Sequence, residues 1–554
     1  MKGNQSILLF IGVVVAANLL QCLCTGLLFD EAYYWVWSQH LALGYFDHPP
    51  MIALFIAAGN AISHSETGVR VFTILANAGT IYILYRLIKP QNMKLFYVLL
   101  LSITPLLAAG FFAVPDIPLL FFTACFFVAY KKYLEDDSPL ITIALGICIA
   151  CLFYSKYHAV LVVFFVLLSN LNLLKRKSFY LACTLAACLF APHIWWQWQN
   201  NFPTFRFHLF ERIPEICNPQ RILEYIGGQL VLAGIPAGLI LLWAGYKQSA
   251  ANPWQRALKF QLWGTYAFFL LSSFKGRTEP NWTIANTIPL AILSYQYLEN
   301  NNRLTVWLYR LLPVSLLAIA VIRLHYGTDL SKKYLGITSE TQHWKAWADT
   351  IQQYAGKRPV VFLSSYQKAS EYTFYTGNKA FSTSEVELRK SQYNLLTIEE
   401  ELQNQEVFVC TYWGLRPERT KAAYHIKTEP TEFDGFVVDS FMSWIKVRIE
   451  PLTKKVVLKS GQQLALPVKV VSPYKNHPPP DNRSRLTYRI YAENREKLGD
   501  YDTGVLLDSA FTHPQTVVNI NLPETRGHYK VFISATQDNY PPPINSTAVD
   551  VEVQ

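Results

Sequence analysis

Residues 7–28 read ILLFIGVVVAANLLQCLCTGLL, and residues 29–50 continue FDEAYYWVWSQHLALGYFDHPP. The first stretch carries no charge and is long enough for a bilayer crossing, which takes about 20 mostly apolar residues. It is longer than a signal-peptide core and lacks a small-residue cleavage site, so it reads as a retained helix. Two carboxylates, Asp30 and Glu31, stand directly behind it. Tyr33, Tyr34, Trp35 and Trp37 follow, then Asp47 and His48 ahead of Pro49-Pro50. Aromatic rings at a span end are an ordinary interfacial belt. Acids there are costly and usually have a task.

Working outward, the same apolar pattern recurs near 69–88, 94–112, 117–133, 139–155, 157–174, 179–196, 224–246, 257–274, 283–298 and 304–322, which with 7–28 makes eleven candidate spans. Residues 49–63 are apolar but short, and predict a surface or re-entrant segment. Charge divides the chain: residues 1–322 hold 34 charged side chains, and residues 323–554 hold 54 in 232 positions. A wholly soluble enzyme, a disordered chain and a coiled coil are thereby excluded, and a nucleic-acid footprint is not expected. With the N-terminus inside, thirteen Lys/Arg fall on inner segments and seven on outer ones: Arg70, Lys156, Arg206, Arg212, Arg221, Lys275 and Arg277. That bias follows the positive-inside rule. An odd number of spans then puts the C-terminal part outside.

Beyond the last span, 340–450 alternates helix-like and strand-like segments (HWKAWADTIQQYAG, PVVFLSS, ASEYTFYTG, EVFVCTYW). From about 453 short alternating strands separated by Pro-rich turns predict a small β-sandwich. Seven of the nine cysteines lie inside apolar runs, where they act as small hydrophobes, and no disulfide framework is legible. Three regions are expected: 1–325 in the membrane, 326–450 α/β, and 451–554 β-sandwich-like.

The chemistry lies in the outer segments. Asp116 stands between two spans in AVPDIPLL, where helix capping is its bland role. Lys156 sits in the short turn YSKYH. Lys275 and Arg277 share the turn SSFKGRTEPNW with Glu279 and Trp282, and Arg206 and Arg212 lie in the longer loop 197–223. A lone cation there is ordinarily an interfacial snorkelling side chain. Seven on the side that normally avoids them favour a held anion, and a lipid phosphate is the obvious one. A carboxylate supplies the general base for an acceptor hydroxyl or amine, and cations stabilise a phosphate leaving group. No Walker A, Rossmann glycine pattern, HExxH or outer DxD motif is present. Glycosyl transfer from a lipid-phosphate sugar fits these residues. No cofactor is strictly required by this chemistry, and a divalent metal is left open.

In DEAYYW (30–35), GYFDHPP (44–50), VPDIPLL (114–120), SKYH (155–158) and EPNW (279–282), the sequence resembles the GT-C membrane glycosyltransferases. The likeness is to the bacterial branch of the protein O-mannosyltransferase and lipid A aminoarabinose transferase superfamily. It covers about 1–330 and extends loosely to 369–378. The resemblance implies an α-helical polytopic protein of the bacterial inner membrane, with about eleven transmembrane helices and a periplasmic α/β plus β-sandwich region. It implies a polyprenyl-phosphate-sugar donor, a lipid A, glycan or protein acceptor, and contacts with membrane lipids. Asp30, Glu31 and Asp116 would then be catalytic, and Lys156, Arg206, Arg212, Lys275 and Arg277 would bind the donor phosphate. Tyr33, Tyr34, Trp35, Asp47, His48, Glu279 and Trp282 would line the substrate. Where the aminoarabinose branch usually has an Arg soon after its acid pair, this chain has Tyr33-Tyr34, which argues against an aminoarabinose donor. A transporter or flippase of a lipid-linked sugar is the alternative, expected to bury charges midway along broken spans.

Overall fold

The computed structural model describes residues 2–206, 219–386, 389–412, 424–474, 479–513, 515–538 and 540–554. Two compact units emerge, residues 1–342 and 343–554.

The first unit is helical: α1 (Lys2–Cys22), α2 (Phe29–Gln39), α3 (Met51–Asn60), α4 (Glu66–Ile88), α5 (Met93–Ser102), α6 (Thr104–Ala108), α7 (Asp116–Glu135), α8 (Pro139–Ser155), α9 (Ala159–Ser169), α10 (Lys177–Gln199), α11 (Pro203–Arg206), α12 (Pro219–Ala233), α13 (Gly238–Lys247), α14 (Pro253–Ser273), α15 (Thr287–Leu298), α16 (Asn302–Gly327) and α17 (Leu330–Leu335). Every apolar segment read from the sequence contains a helix. Among the described residues five are long and apolar enough to cross a membrane, or six if the bent pair α12–α13 is one span. That pair turns by 88°. At the break, Gly234 has φ +146° and approaches Ser102 so closely that a Cβ would lie 2.3 Å from its carbonyl oxygen. A side chain there would clash.

Leu84, Leu99, Ile103, Phe127, Leu258 and Ile292 are among the fully buried residues of the shared core. Leu8, Leu9 and Leu317 stay exposed, as expected of surfaces facing lipid rather than water. Arg323 lies inside α16, not beyond the last span. Its guanidinium donates to Leu107 O at 2.9 Å and to Asn18 Oδ1 at 2.5 Å, tying α16 to α1 and α6.

Contacts sort the loops into two ends. At one, Arg176 reaches Tyr133 O, Lys131 lies over Trp254, and Lys94 over Tyr309. These cations are the expected inner ones. The outer acids gather at the other end, described below.

The second unit joins α18 (Trp344–Ala355), α19 (Tyr366–Thr376), α20 (Ile398–Leu402) and α21 (Leu507–Thr512) to thirteen strands. A five-stranded sheet has the order β2 (Ala380–Ser382), β1 (Val360–Phe362), β3 (Val407–Thr411), β5 (Phe433–Val438), β4 (Tyr424–Ile426). β1 runs parallel to β2 and β3, and the other pairings are antiparallel. Two further sheets, β10 (Lys497–Leu506), β9 (Ser484–Ala492), β12 (Gly527–Gln537), β13 (Val549–Val553), β7 (Lys455–Leu458) and β11 (Thr516–Ile520), β8 (Leu464–Val471), β6 (Arg448–Pro451), form a sandwich. Leu466 and Val468 from one sheet share its core with Ile490, Val531 and Ile533 from the other.

Glu399 on α20 is fully buried, and its Oε1 accepts from Ser443 Oγ at 2.7 Å, Ile445 N at 2.9 Å and Tyr474 Oη at 2.9 Å. Burial pushes its carboxyl up from 4.5 to about 7. The folded unit therefore holds a proton that the unfolded chain releases near pH 4.5, so this group's stabilisation is full below that and is lost as pH rises towards 7. The swing is about 3 kcal/mol. Hydrogen-exchange protection of peptides 399–402 and 443–446 in the full-length protein, taken relative to the intrinsic base-catalysed rate, is expected to fall from pH 5 to pH 7.5. Glu399→Gln is expected to flatten that dependence, and an unchanged pH profile in the variant would contradict the assignment.

Candidate active site

The acid pair opening α2 divides its labour. Asp30 lies exposed on the first helical turn. Glu31 is buried and saturated. Its carboxylate takes Arg70 Nε at 2.8 Å and Nη2 at 2.6 Å, Leu28 N at 2.9 Å and Ala113 N at 2.7 Å. Arg70 also donates to Thr25 O and Gly26 O, both at 2.7 Å, and lies against the Phe111 and Phe112 rings. Both partners are 0 % exposed. This forked pair fastens the α1–α2 link and the loop before α7 to the start of α4. It leaves Glu31 a positioning role, with no lone pair turned to a substrate.

Ala113 lies three residues before Asp116, so Glu31 joins the two acidic loops. Asp116 is the first residue of α7, with Pro115 at the cap position and no capping bond from a side chain. Its carboxylate instead accepts from Lys156 Nζ at 2.9 Å and faces Asn281 Nδ2 at 3.3 and 3.4 Å. Asp116 is 6 % exposed and Lys156 4 %. A buried ion pair needs such extra hydrogen bonds to offset desolvation. Lysine carries three donors and Asp116 uses one, so the ammonium retains capacity for an anion. Beside it His158 stacks on Trp282 with centroids 4.9 Å apart, and Phe269 closes the cluster at 5.6 Å from Trp282.

The first outer loop is bound into the same end. Tyr33 Oη donates to Asp47 Oδ2 at 3.0 Å, Trp37 stacks on Tyr45 at 4.6 Å, and Tyr34 lies 6.0 Å from the His48 ring. Trp35 Nε1 points elsewhere, to Asn60 Oδ1 at 3.2 Å. His193 on α10 gives its Nδ1 proton to Leu43 O at 2.8 Å, and its Nε2 accepts from Tyr157 Oη at 2.9 Å. Gln197 bridges Tyr157 and Thr204, and Thr204 donates to Phe46 O at 2.8 Å. The backbone around Asp47 is thus held by a buried polar network. Gly44 approaches so closely that a Cβ would sit 2.5 Å from Trp196 and 2.7 Å from His193 Nδ1. Gly44→Ala is expected to cost about 1–3 kcal/mol by displacing the loop. A thermal melt together with a raised donor KM would check it.

Arg206, at the end of α11, and Lys275 are exposed, and Arg277 pairs with Glu279 at 2.8 Å on the exposed approach to Asn281. Arg212 lies outside the described residues. Among the described residues no three His, Cys, Asp or Glu side chains gather as metal ligands.

A family profile described as Dolichyl-phosphate-mannose-protein mannosyltransferase matches residues 47–196. The lipid A galacturonosyltransferase RgtD of Rhizobium johnstonii is 27 % identical over 341 residues, covering 56 % of this chain and 71 % of that protein. The crystal structure of ArnT from Cupriavidus metallidurans in the apo state superposes with a TM-score of 0.54 at 14 % identity, over 74 % of this chain and 93 % of that one. The same protein bound to undecaprenyl phosphate gives a TM-score of 0.53 at 15 % identity, with the same coverage. The fold is that of ArnT over the superposed residues. The matches together support a multi-pass membrane glycosyltransferase.

Sequence reading missed several residues of this core. Arg70 is counted there only as an outer cation, yet a charge just inside the start of the apolar run 69–88 was its signal. Asn281 and His158 fall inside flagged motifs without a role of their own. Tyr157 shares that motif with His158, while His193, Gln197 and Thr204 carry no local pattern.

Proposed function

We propose that the protein moves a sugar from a polyprenyl-phosphate donor to lipid A or a related glycolipid at the outer face of the inner membrane. The observation that carries this reading is the buried Lys156, held by an Asp116 that Asn281 braces, in the same loop system as exposed Asp30. The donor phosphate lies against Lys156, with Arg206, Lys275 and Arg277 along its approach. The acceptor hydroxyl gives its proton to Asp30 while its oxygen bonds to the anomeric carbon. The anomeric carbon–oxygen bond to phosphate breaks, and polyprenyl phosphate leaves with the electron pair. Lys156 stabilises that growing charge in a poorly hydrated setting. Trp282 and His158 provide a stacking surface for the sugar, and Asp47, aligned by Tyr33, bonds its hydroxyls. Tyr34, His48 and Glu279 complete the substrate lining.

The eleven apolar segments of residues 1–322 are read as eleven crossings, which puts residues 343–554 in the periplasm. The names of the relatives support this donor and acceptor class, since one acts on lipid A and another binds undecaprenyl phosphate. The bent pair α12–α13 gives the transport alternative its broken helix, but residues 225–246 carry no charge at the break.

Purified protein in vesicles with lipid A and polyprenyl-phosphate donors carrying galacturonic acid, hexose or aminoarabinose is the direct test. Mass spectrometry is expected to find lipid A one sugar heavier, with matching release of polyprenyl phosphate. Movement of intact donor across the bilayer without transfer would overturn the reading.

A further inference from the structure

A second polar concavity lies at the far end of α4. Asn4, Tyr85, Arg86, Lys89 and Pro90 line a cavity of about 390 Å³ where α1 begins and α4 stops. Arg86 is sixteen residues along α4 from Arg70, so this cavity lies about 24 Å from the acid cluster, at 1.5 Å per residue. Its two cations are exposed, and no acid lines it. Among the described residues neither cation forms an ion pair: Arg86 meets only the hydroxyl and ring of Tyr82. Glu299, near Gln91, is engaged by Gln91 N at 3.3 Å and Tyr295 Oη at 2.7 Å.

Cations at a helix C-terminus have a plain role in offsetting its dipole. Two features go beyond that. Lys89 caps α4 in the left-handed conformation, φ 51°, where Gly or Asn is usual, so a long cationic side chain stands at a strained position. Asn4 is fixed from α1, its Oδ1 accepting from Tyr85 Oη at 2.9 Å, which leaves its amide donors for a ligand. Leu8 and Leu9, the next turn of α1, are exposed apolar residues suited to an acyl chain.

We propose that this cavity binds the phosphate ester of an anionic phospholipid in the leaflet away from the active site. Arg86 and Lys89 supply the charge, Asn4 and Tyr85 the polar floor, and the α1 surface holds the tail. Basic recesses between helix ends are a recurring solution for such headgroups.

Native mass spectrometry of the full-length protein tests this with phosphatidylglycerol, phosphatidylcholine and inorganic phosphate as probes. Preferential retention of phosphatidylglycerol is expected, weakened about thirtyfold in Arg86→Ala/Lys89→Gly. Lys94→Ala, which removes a neighbouring charge outside the cavity, is expected to bind as wild type. Asn4→Trp fills the cavity without changing charge and is expected to lose the lipid too, which guards against misfolding of the double variant. Displacement by millimolar inorganic phosphate would assign the site to phosphate generally, and resistance to it would assign the site to the intact lipid. Equal retention of the two phospholipids, or undiminished phosphatidylglycerol binding by Arg86→Ala/Lys89→Gly, would overturn the proposal.

Discussion

Asp30→Asn is expected to lower the rate of sugar transfer by about 10²–10⁴-fold, the usual contribution of a positioned general base, while membrane insertion and melting temperature stay as in wild type. The separation of effects follows from geometry. Asp30 lies exposed on the first turn of α2, and Glu31 fastens this turn through Leu28 N and Ala113 N. Asparagine keeps the shape and loses the proton acceptor. The loss should fall on kcat, because a base acts in the transition state rather than in donor binding. Single-turnover transfer in vesicles, with circular dichroism as the folding control, checks this, and near wild-type turnover would remove Asp30 from the chemistry.

Arg70→Ala is expected to destabilise the helical unit by about 3–5 kcal/mol, because it leaves Glu31 charged and buried without its partner. Glu31→Ala should be comparably severe. Both variants also release the α1–α2 link, since Arg70 holds the Thr25 and Gly26 carbonyls. The paired replacement Glu31→Leu/Arg70→Met removes both charges and is expected to recover much of that stability. Yield and thermal unfolding in detergent measure it. If Glu31→Ala melts like wild type and merely loses activity, the residue belongs to the reaction and not to the scaffold.

Much of the fold was legible because spans announce themselves locally: each needs its own apolar run, and each run read from the sequence contains a helix. Helix breaks were not, since the turn at Gly234 depends on the approach of Ser102, far away in sequence. In the second unit the parallel strands β1 and β3 were readable from unbroken apolar runs. β10 was missed because its sequence, KLGDYDTGVL, is polar and largely exposed along an edge. β2 is three residues long and gives no periodicity.

The site was legible by chemistry and illegible by partnership. Acids at span ends stood out because charge there is costly. Which acid stays exposed and which are paired could not be read, since Arg70 meets Glu31 across 39 residues and Asn281 meets Asp116 across 165. The sequence treated Asp30 and Glu31 as one catalytic pair, and burial separates them. Likewise Asp116 was read as an acid that could also cap its helix, and its bond to Lys156, 40 residues away, was not legible.

The central claim is that Lys156, held by Asp116, faces the donor phosphate. A polyprenyl phosphate bearing a photoreactive diazirine next to the phosphate, irradiated with the vesicle-embedded protein, tests it most directly. The account predicts labelled peptides spanning 155–158 and 277–282, with labelling lost in Lys156→Gln. Labelling confined to other peptides, or unchanged in Lys156→Gln, would contradict it.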